Sequence, residues 1–221
     1  MRHEPKGRPE GEGSPVSPTP LIHVVDDDAS MRSALVRLLV ECGFEARGYS
    51  STGEFLLQPL PDRLGCLLLD LRLPGPSGLD LQAALQQQNV TLPIVFLSGH
   101  ATVDSSVRAM KAGAVDFLTK PVKRDILLEA VQRALARDAA QRTTRVQAGQ
   151  LHARFATLTA RQREVFDRIV AGRLNKQIAY ELDIAERTVK REREQIMTKL
   201  DASSAAELGR LAALLQSSAA R

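Results

Sequence analysis

Two apolar runs in this chain end in carboxylates: LIHVV leads into Asp26, Asp27 and Asp28, and GCLLLD ends in Asp70. Two further runs end in groups that suit an anion. LPIVFL leads into Ser98, Gly99 and His100, and AVDFL into Thr119, Lys120 and Pro121. Gathered carboxylates repel one another, so a pocket that collects them demands a cation. Oxygen donors of this kind suit Mg2+, which accepts few protein ligands and keeps several waters. Such an ion neutralises both the carboxylates and an incoming phosphoryl group. Asp70 could then attack phosphorus as a nucleophile and form an acyl phosphate. A lysine and a hydroxyl supply the positioning and charge on which that transfer depends. Any one of these carboxylates alone reads as a helix cap or a solvated turn residue; joint placement at strand ends favours a site.

Those strand ends require a sheet to carry them. Five apolar runs, LIHVV (21–25), FEARG (44–48), GCLLLD (65–70), LPIVFL (92–97) and AVDFL (114–118), alternate with helical patterns. In the first helical pattern Met31, Leu35, Leu38, Leu39 and Cys42 share one face. Gly43 and Gly113 stand where helices would stop. Alternating strands and helices with continuous apolar strands predict an α/β fold, a flavodoxin-like (βα)5 parallel sheet covered on both faces. In such a sheet the loops at the C-terminal strand ends form the functional crevice. Asp28, at the start of the first helix, complements the helix dipole.

The combination VVDDD, LLLDLRLPGPSG, FLSGH and AMKAGAVDFLTKP resembles the receiver domain of two-component response regulators, in matching order over residues 21 to about 137. That resemblance implies that Asp70 accepts a phosphoryl group from the phosphohistidine of a sensor kinase. Asp27 and Asp70 would ligate Mg2+ directly with the backbone carbonyl of Arg72, and Asp26 would act mainly through water. Ser98 and Lys120 would contact the phosphoryl oxygens, and Phe117 would be the aromatic switch that follows Ser98. The surface at 108–112, 117 and 125–137 would be the dimerisation face. A dehalogenase-type phosphatase would need a second Asp two residues after the nucleophile, where Arg72 stands. An FMN-binding flavodoxin would have its phosphate repelled by Asp26–Asp28. On spacing alone Phe117 reads as core, and His100 as a loop residue beside the site.

Beyond Asp138 the composition turns Ala-, Gln- and Arg-rich with few turn residues, which favours a helical linker over 138–155. From residue 156 the chain reads as a small all-α domain of four helices. Thr159 with Gln162 forms a capping box, Asn175 can cap KQIAYEL, LDI (182–184) makes a tight turn, and Ser204 with Glu207 opens the last helix. The segment LTARQREVFDRIVAGRLNKQIAYELDIAERTVKREREQIMTKL resembles the LuxR-type helix-turn-helix of NarL/FixJ regulators. In ERTVKREREQIMTKL, Val189, Ile196 and Leu200 share a core face. Arg187, Lys190, Arg191 and Glu194 lie opposite, and such a helix fits the major groove. Arg187, Thr188 and Lys190 are candidate DNA contacts, Arg191 and Glu194 suit base edges, and Lys176 suits a phosphate. The competing reading is a solvated face of i,i+4 ion pairs. Ala185 stands where the family has a capping Ser or Thr, with Asp183 as a substitute cap. Glu192 and Gln195 replace a common His and Asn, which bears on the target sequence.

Charge divides the same way. The net charge of +4 combines 15 basic against 9 acidic residues over 141–221 with 12 against 14 over 21–140. A basic C-terminal part suits a polyanionic partner. Residues 1–20, rich in Pro, Gly, Ser and Glu, predict a disordered tail and hold no apolar core for a secretory signal. The only cysteines, Cys42 and Cys66, sit among apolar neighbours and read as buried reduced thiols in a cytoplasmic protein without a membrane partner. The chain as a whole is thus expected to be a regulator, not a classical enzyme: phosphorylated with Mg2+, dimeric on phosphorylation, bound to double-stranded DNA, and served by a sensor histidine kinase and RNA polymerase. The alternative is a constitutive DNA-binding protein whose receiver only oligomerises.

Overall fold

The computed structural model describes residues 18–99 and 102–219. The expected disordered tail falls almost wholly, and His100 wholly, outside the described residues. The element order is β1 (Leu21–Val25), α1 (Ala29–Glu41), β2 (Glu45–Tyr49), α2 (Thr52–Leu56), β3 (Gly65–Asp70), α3 (Gly78–Gln87), β4 (Ile94–Ser98), α4 (Val103–Lys111), β5 (Asp116–Thr119) and α5 (Arg124–Ala156), then α6 (Ala160–Val170), α7 (Asn175–Glu181), α8 (Glu186–Leu200) and α9 (Ala205–Ala219). The chain divides into two compact units, Met1–Ala139 and Ala140–Arg221.

In the first unit the strands form one parallel sheet in the order β2-β1-β3-β4-β5. Alternate residues of the central strands feed two separate cores. Ile22, Val24, Leu68, Val95 and Leu97 meet Leu35 and Leu39 of α1 and Leu127 and Val131 of α5. Val25, Leu67, Leu69 and Phe96 meet Phe55 of α2, Leu81 and Leu85 of α3 and Ala109 of α4. Both faces are therefore covered, which is why the strands read as uninterrupted apolar runs. The register brings the functional ends level: Val25 pairs with Leu69, Asp70 with Leu97, and Ser98 with Thr119.

Three strands, β2, β4 and β5, begin later than their apolar runs suggest, β4 at Ile94. β2 starts at Glu45 because Gly43, at φ 87°, lets Phe44 N close the end of α1 by donating to Leu39 O. β5 starts at Asp116 because Ala114 N is taken by Ala109 O at the end of α4. Cys66 is buried, but Cys42 is only half-buried, since it caps α1 at the surface beside Arg124.

The second unit packs Val165, Phe166, Ile169, Ile178, Val189, Ile196, Leu200 and Leu208 into one core. Thr159 and Gln162 form a reciprocal capping box on α6. The caps of α7 and α8 differ from expectation. Leu174 takes the N-cap of α7, with Gln177 Oε1 accepting from its amide, while Asn175 Oδ1 accepts from Arg193 Nη1. α8 has no side-chain cap, because Asp183 is spent on the turn itself, in the left-handed conformation at φ 51°.

Candidate functional site

Asp26 follows β1 directly, and its amide still donates to Tyr49 O of β2. Asp28 is the N-cap of α1, its Oδ1 accepting from the amides of Ser30 and Met31. Those two bonds hold its carboxyl below the ordinary carboxylate range. Asp28 is thereby engaged with its own helix. Asp26 turns inward with 1% exposure, and Asp27 is left exposed at the rim. Asp70 ends β3, buried, with its Oδ1 accepting from Arg72 N at 3.0 Å. Oxygens of Asp26, Asp27 and Asp70 lie within 4.8 Å of one another.

Lys120, four residues before α5 and joined to Pro121 by a cis peptide bond, closes the group. Its amide donates to Ser98 O, and its Nζ donates to Asp26 Oδ2 at 2.7 Å and Asp70 Oδ2 at 2.6 Å. Burial pushes the Asp26 carboxyl up, further than Lys120 pulls it down. Burial also works against the Lys120 ammonium, but the two carboxylates outweigh it and raise its pKa. Three carboxylates thus face one ammonium, leaving a hard-oxygen donor set with surplus negative charge. Such a set fits Mg2+.

Ser98 sits at the C-terminal end of β4 with 1% exposure. Phe117, half-buried on β5, stacks on Phe96 with ring centroids 6.0 Å apart. Beyond it, α4 exposes Val103, Val107 and Met110, α5 exposes Ile126, and Arg133 pairs with Asp116. Two features near the acidic cluster escaped the sequence reading. Arg32 of α1 donates to Asp26 O at 2.6 Å. Gly78 lets α3 start against the acceptor strand, since a Cβ there would meet Asp70 O at 2.4 Å. The nearby PSG tripeptide was the available signal for Gly78; nothing local marks Arg32.

In the second unit α8 buries Val189, Ile196 and Leu200 and exposes Arg187, Lys190, Arg191 and Glu194, with Thr188 half-buried. Lys176 is exposed in the first turn of α7. Of these, Lys190 forms an i,i+4 pair with Glu186 at 3.6 Å, so the ion-pair reading holds for that one residue. The side chains of Arg187, Arg191 and Glu194 make no hydrogen bond or ion pair among the described residues.

Residues 22–132 match the response regulator receiver domain, and residues 156–212 match the luxR family of bacterial regulatory proteins. The chain is 42% identical to nodulation protein W of Bradyrhizobium diazoefficiens over 96% of its own length and 93% of that protein's. It is 39% identical to transcriptional regulatory protein FixJ of Rhizobium meliloti over 86% of its length and 94% of that protein's. Among solved structures, response regulator StyR matches with TM-score 0.75 and 43% identity, covering 88% of this chain and 98% of that one. Full-length FixJ from B. japonicum matches with TM-score 0.55 and 37% identity, covering 91% and 99%.

Proposed function

Because the chain belongs to the response regulators, with a receiver domain followed by a LuxR-type DNA-binding domain, we propose that it is a two-component transcriptional regulator switched by phosphorylation of Asp70. The observation that carries this reading is the Asp26, Asp27 and Asp70 cluster bridged by Lys120. Asp70 forms an O–P bond as the P–N bond of a kinase phosphohistidine breaks, and the departing imidazole nitrogen keeps the electron pair. A Mg2+ ion held by Asp27, Asp70 and the Arg72 carbonyl, with Asp26 acting through water, would neutralise charge on the phosphoryl oxygens. Lys120, already on Asp70 Oδ2, swings its donors to the phosphoryl group. Ser98 donates its hydroxyl to another phosphoryl oxygen, and Phe117 follows Ser98 inward.

The apolar residues exposed on α4 and α5 then join two copies, and the dimer presents two α8 helices to successive major grooves of double-stranded DNA. Arg191 and Glu194 read base edges, while Lys176, Arg187, Thr188 and Lys190 hold the backbone. The kinase partner, contact with RNA polymerase, and a cytoplasmic site of action belong to the same proposal. No helix among the described residues is long and apolar enough to cross a membrane.

The test is to incubate the full chain with Mg2+ and a small-molecule phosphodonor, then measure intact mass, oligomeric state and DNA affinity. The expected result is a gain of one phosphoryl group that vanishes in Asp70→Ala, accompanied by dimerisation and tighter DNA binding. A gain that survives Asp70→Ala would sink the proposal.

A further inference from the structure

The loop Asp26–Asp28 carries two of the three clustered carboxylates, and its two ends are held, Asp26 by Tyr49 O and Lys120 and Asp28 by its cap on α1, which leaves Asp27 between them. The last strand pair of β1 with β2 is Val25 with Tyr49. Inside the loop, Asp28 N donates to Asp26 Oδ1 at 3.0 Å. Asp27 is different: its exposed carboxylate accepts no hydrogen bond among the described residues, so only its backbone sets its place. Arg32, one turn into α1, reaches back to that backbone. Its Nη1 donates to Asp26 O at 2.6 Å and, at the limit of bonding, to Asp27 O at 3.4 Å. The stem can lie this way because β2 offers a glycine beneath it. A Cβ at Gly48 would stand 2.9 Å from Arg32 Cγ and 3.1 Å from Cδ, closer than the stem can tolerate.

We infer that Arg32 is a positioning residue for the cation site: lying on Gly48, it clamps the Asp26 and Asp27 carbonyls and so presents the Asp27 carboxylate to Asp26 and Asp70. The sign of its effect separates this role from simple electrostatics. A guanidinium beside the cluster repels a cation, so by charge alone its removal tightens Mg2+ binding. As a clamp, its removal weakens binding, because a loose loop must be ordered when the ion arrives.

The inference rests on reading the three aspartates as a cation site, and the experiment separates the two. MgCl2 is titrated into the full chain, wild type, Arg32→Met and Gly48→Ala, and the amide NMR shifts of Asp26–Asp28 report binding. Slow exchange of the Val24 amide checks that each chain is folded. Both variants are expected to bind Mg2+ about tenfold more weakly, the scale on which outer partners tune a metal site. Gly48→Ala keeps the charge and moves only the stem, so it carries the test should Arg32→Met fail to fold. A folded variant of either kind that binds Mg2+ as tightly as the wild type, or more tightly, overturns the inference. Absence of Mg2+ binding by the wild-type chain refutes the cation site itself.

Discussion

Replacing Lys120 by Met tests how the cluster is balanced. The ammonium is the donor at 2.7 Å to Asp26 Oδ2 and at 2.6 Å to Asp70 Oδ2, and the side chains are 14%, 1% and 11% exposed. Methionine keeps the stem and removes the charge, leaving Asp26 buried opposite a second carboxylate. Breaking a buried pair from one side costs about 3–5 kcal/mol, because the remaining charge is uncompensated. Opening free energies from hydrogen exchange at the Val24 and Leu68 amides, both 0% exposed, measure that loss in the receiver itself. At pH 7 without divalent ions the variant should lose stability on that scale. Mg2+ should then restore more of it than in the wild type, since Lys120 no longer competes for Asp26 and Asp70. Saturation at a hundred times the dissociation constant returns about 2.7 kcal/mol. A loss below about 1 kcal/mol, the scale of an exposed pair, or a loss that Mg2+ leaves untouched, refutes the reasoning.

Other expectations follow from neighbouring geometry. His23, 3% exposed and bonded through Nδ1 to Tyr49 Oη, has its pKa lowered from 6.5 to about 4, by burial first and then by Arg47 and Arg63. The unfolded chain therefore protonates first on acidification, so stability is full above about pH 6.5 and drains away towards pH 4. At pH 5 the loss from this group is about 2 kcal/mol, and His23→Gln should flatten the pH dependence of Val24 exchange by that amount. Gly78→Ala places a Cβ 2.4 Å from Asp70 O; it should destabilise the receiver by about 1–3 kcal/mol and slow phosphorylation in the mass assay. Lys176→Ala should weaken DNA binding alike on all sequences and reduce the slope of log affinity against log salt by about 1, whereas Arg191→Ala should cost about 1–3 kcal/mol at one base position and relax the preference there. Salt-series binding titrations on matched and mutated sites distinguish the two.

How much of this was legible in the chain depends on how far apart in sequence the cooperating groups lie. The sheet was readable because each central strand, such as GCLLLD, buries both faces and so shows an unbroken apolar run. Strand boundaries were less so: FEARG includes Phe44, which is apolar because it plugs the end of α1, not because it pairs in β2. Helix ends failed where two candidates competed. Asn175 has the better capping chemistry, but Gln177 Oε1 satisfies the Leu174 amide and Arg193 claims the asparagine, a contact that crosses 18 residues.

The acidic cluster is local by construction, since Asp70 is the last residue of its strand and Asp26 and Asp27 are the first two after theirs. Once the sheet is parallel and its register level, those positions converge without further information. What holds the cluster in shape is not local. Arg32 reads as one more polar position on an amphipathic helix, and Gly48 as a weak residue in an edge strand. Neither has meaning until α1 is laid beside β2, when the missing Cβ of one becomes the bed for the stem of the other. The groups that carry the chemistry are thus visible in one dimension, while those that position them emerge only from packing. A screen of this receiver for lost Mg2+ binding should accordingly find variants at Arg32 and Gly48 as well as at the aspartates.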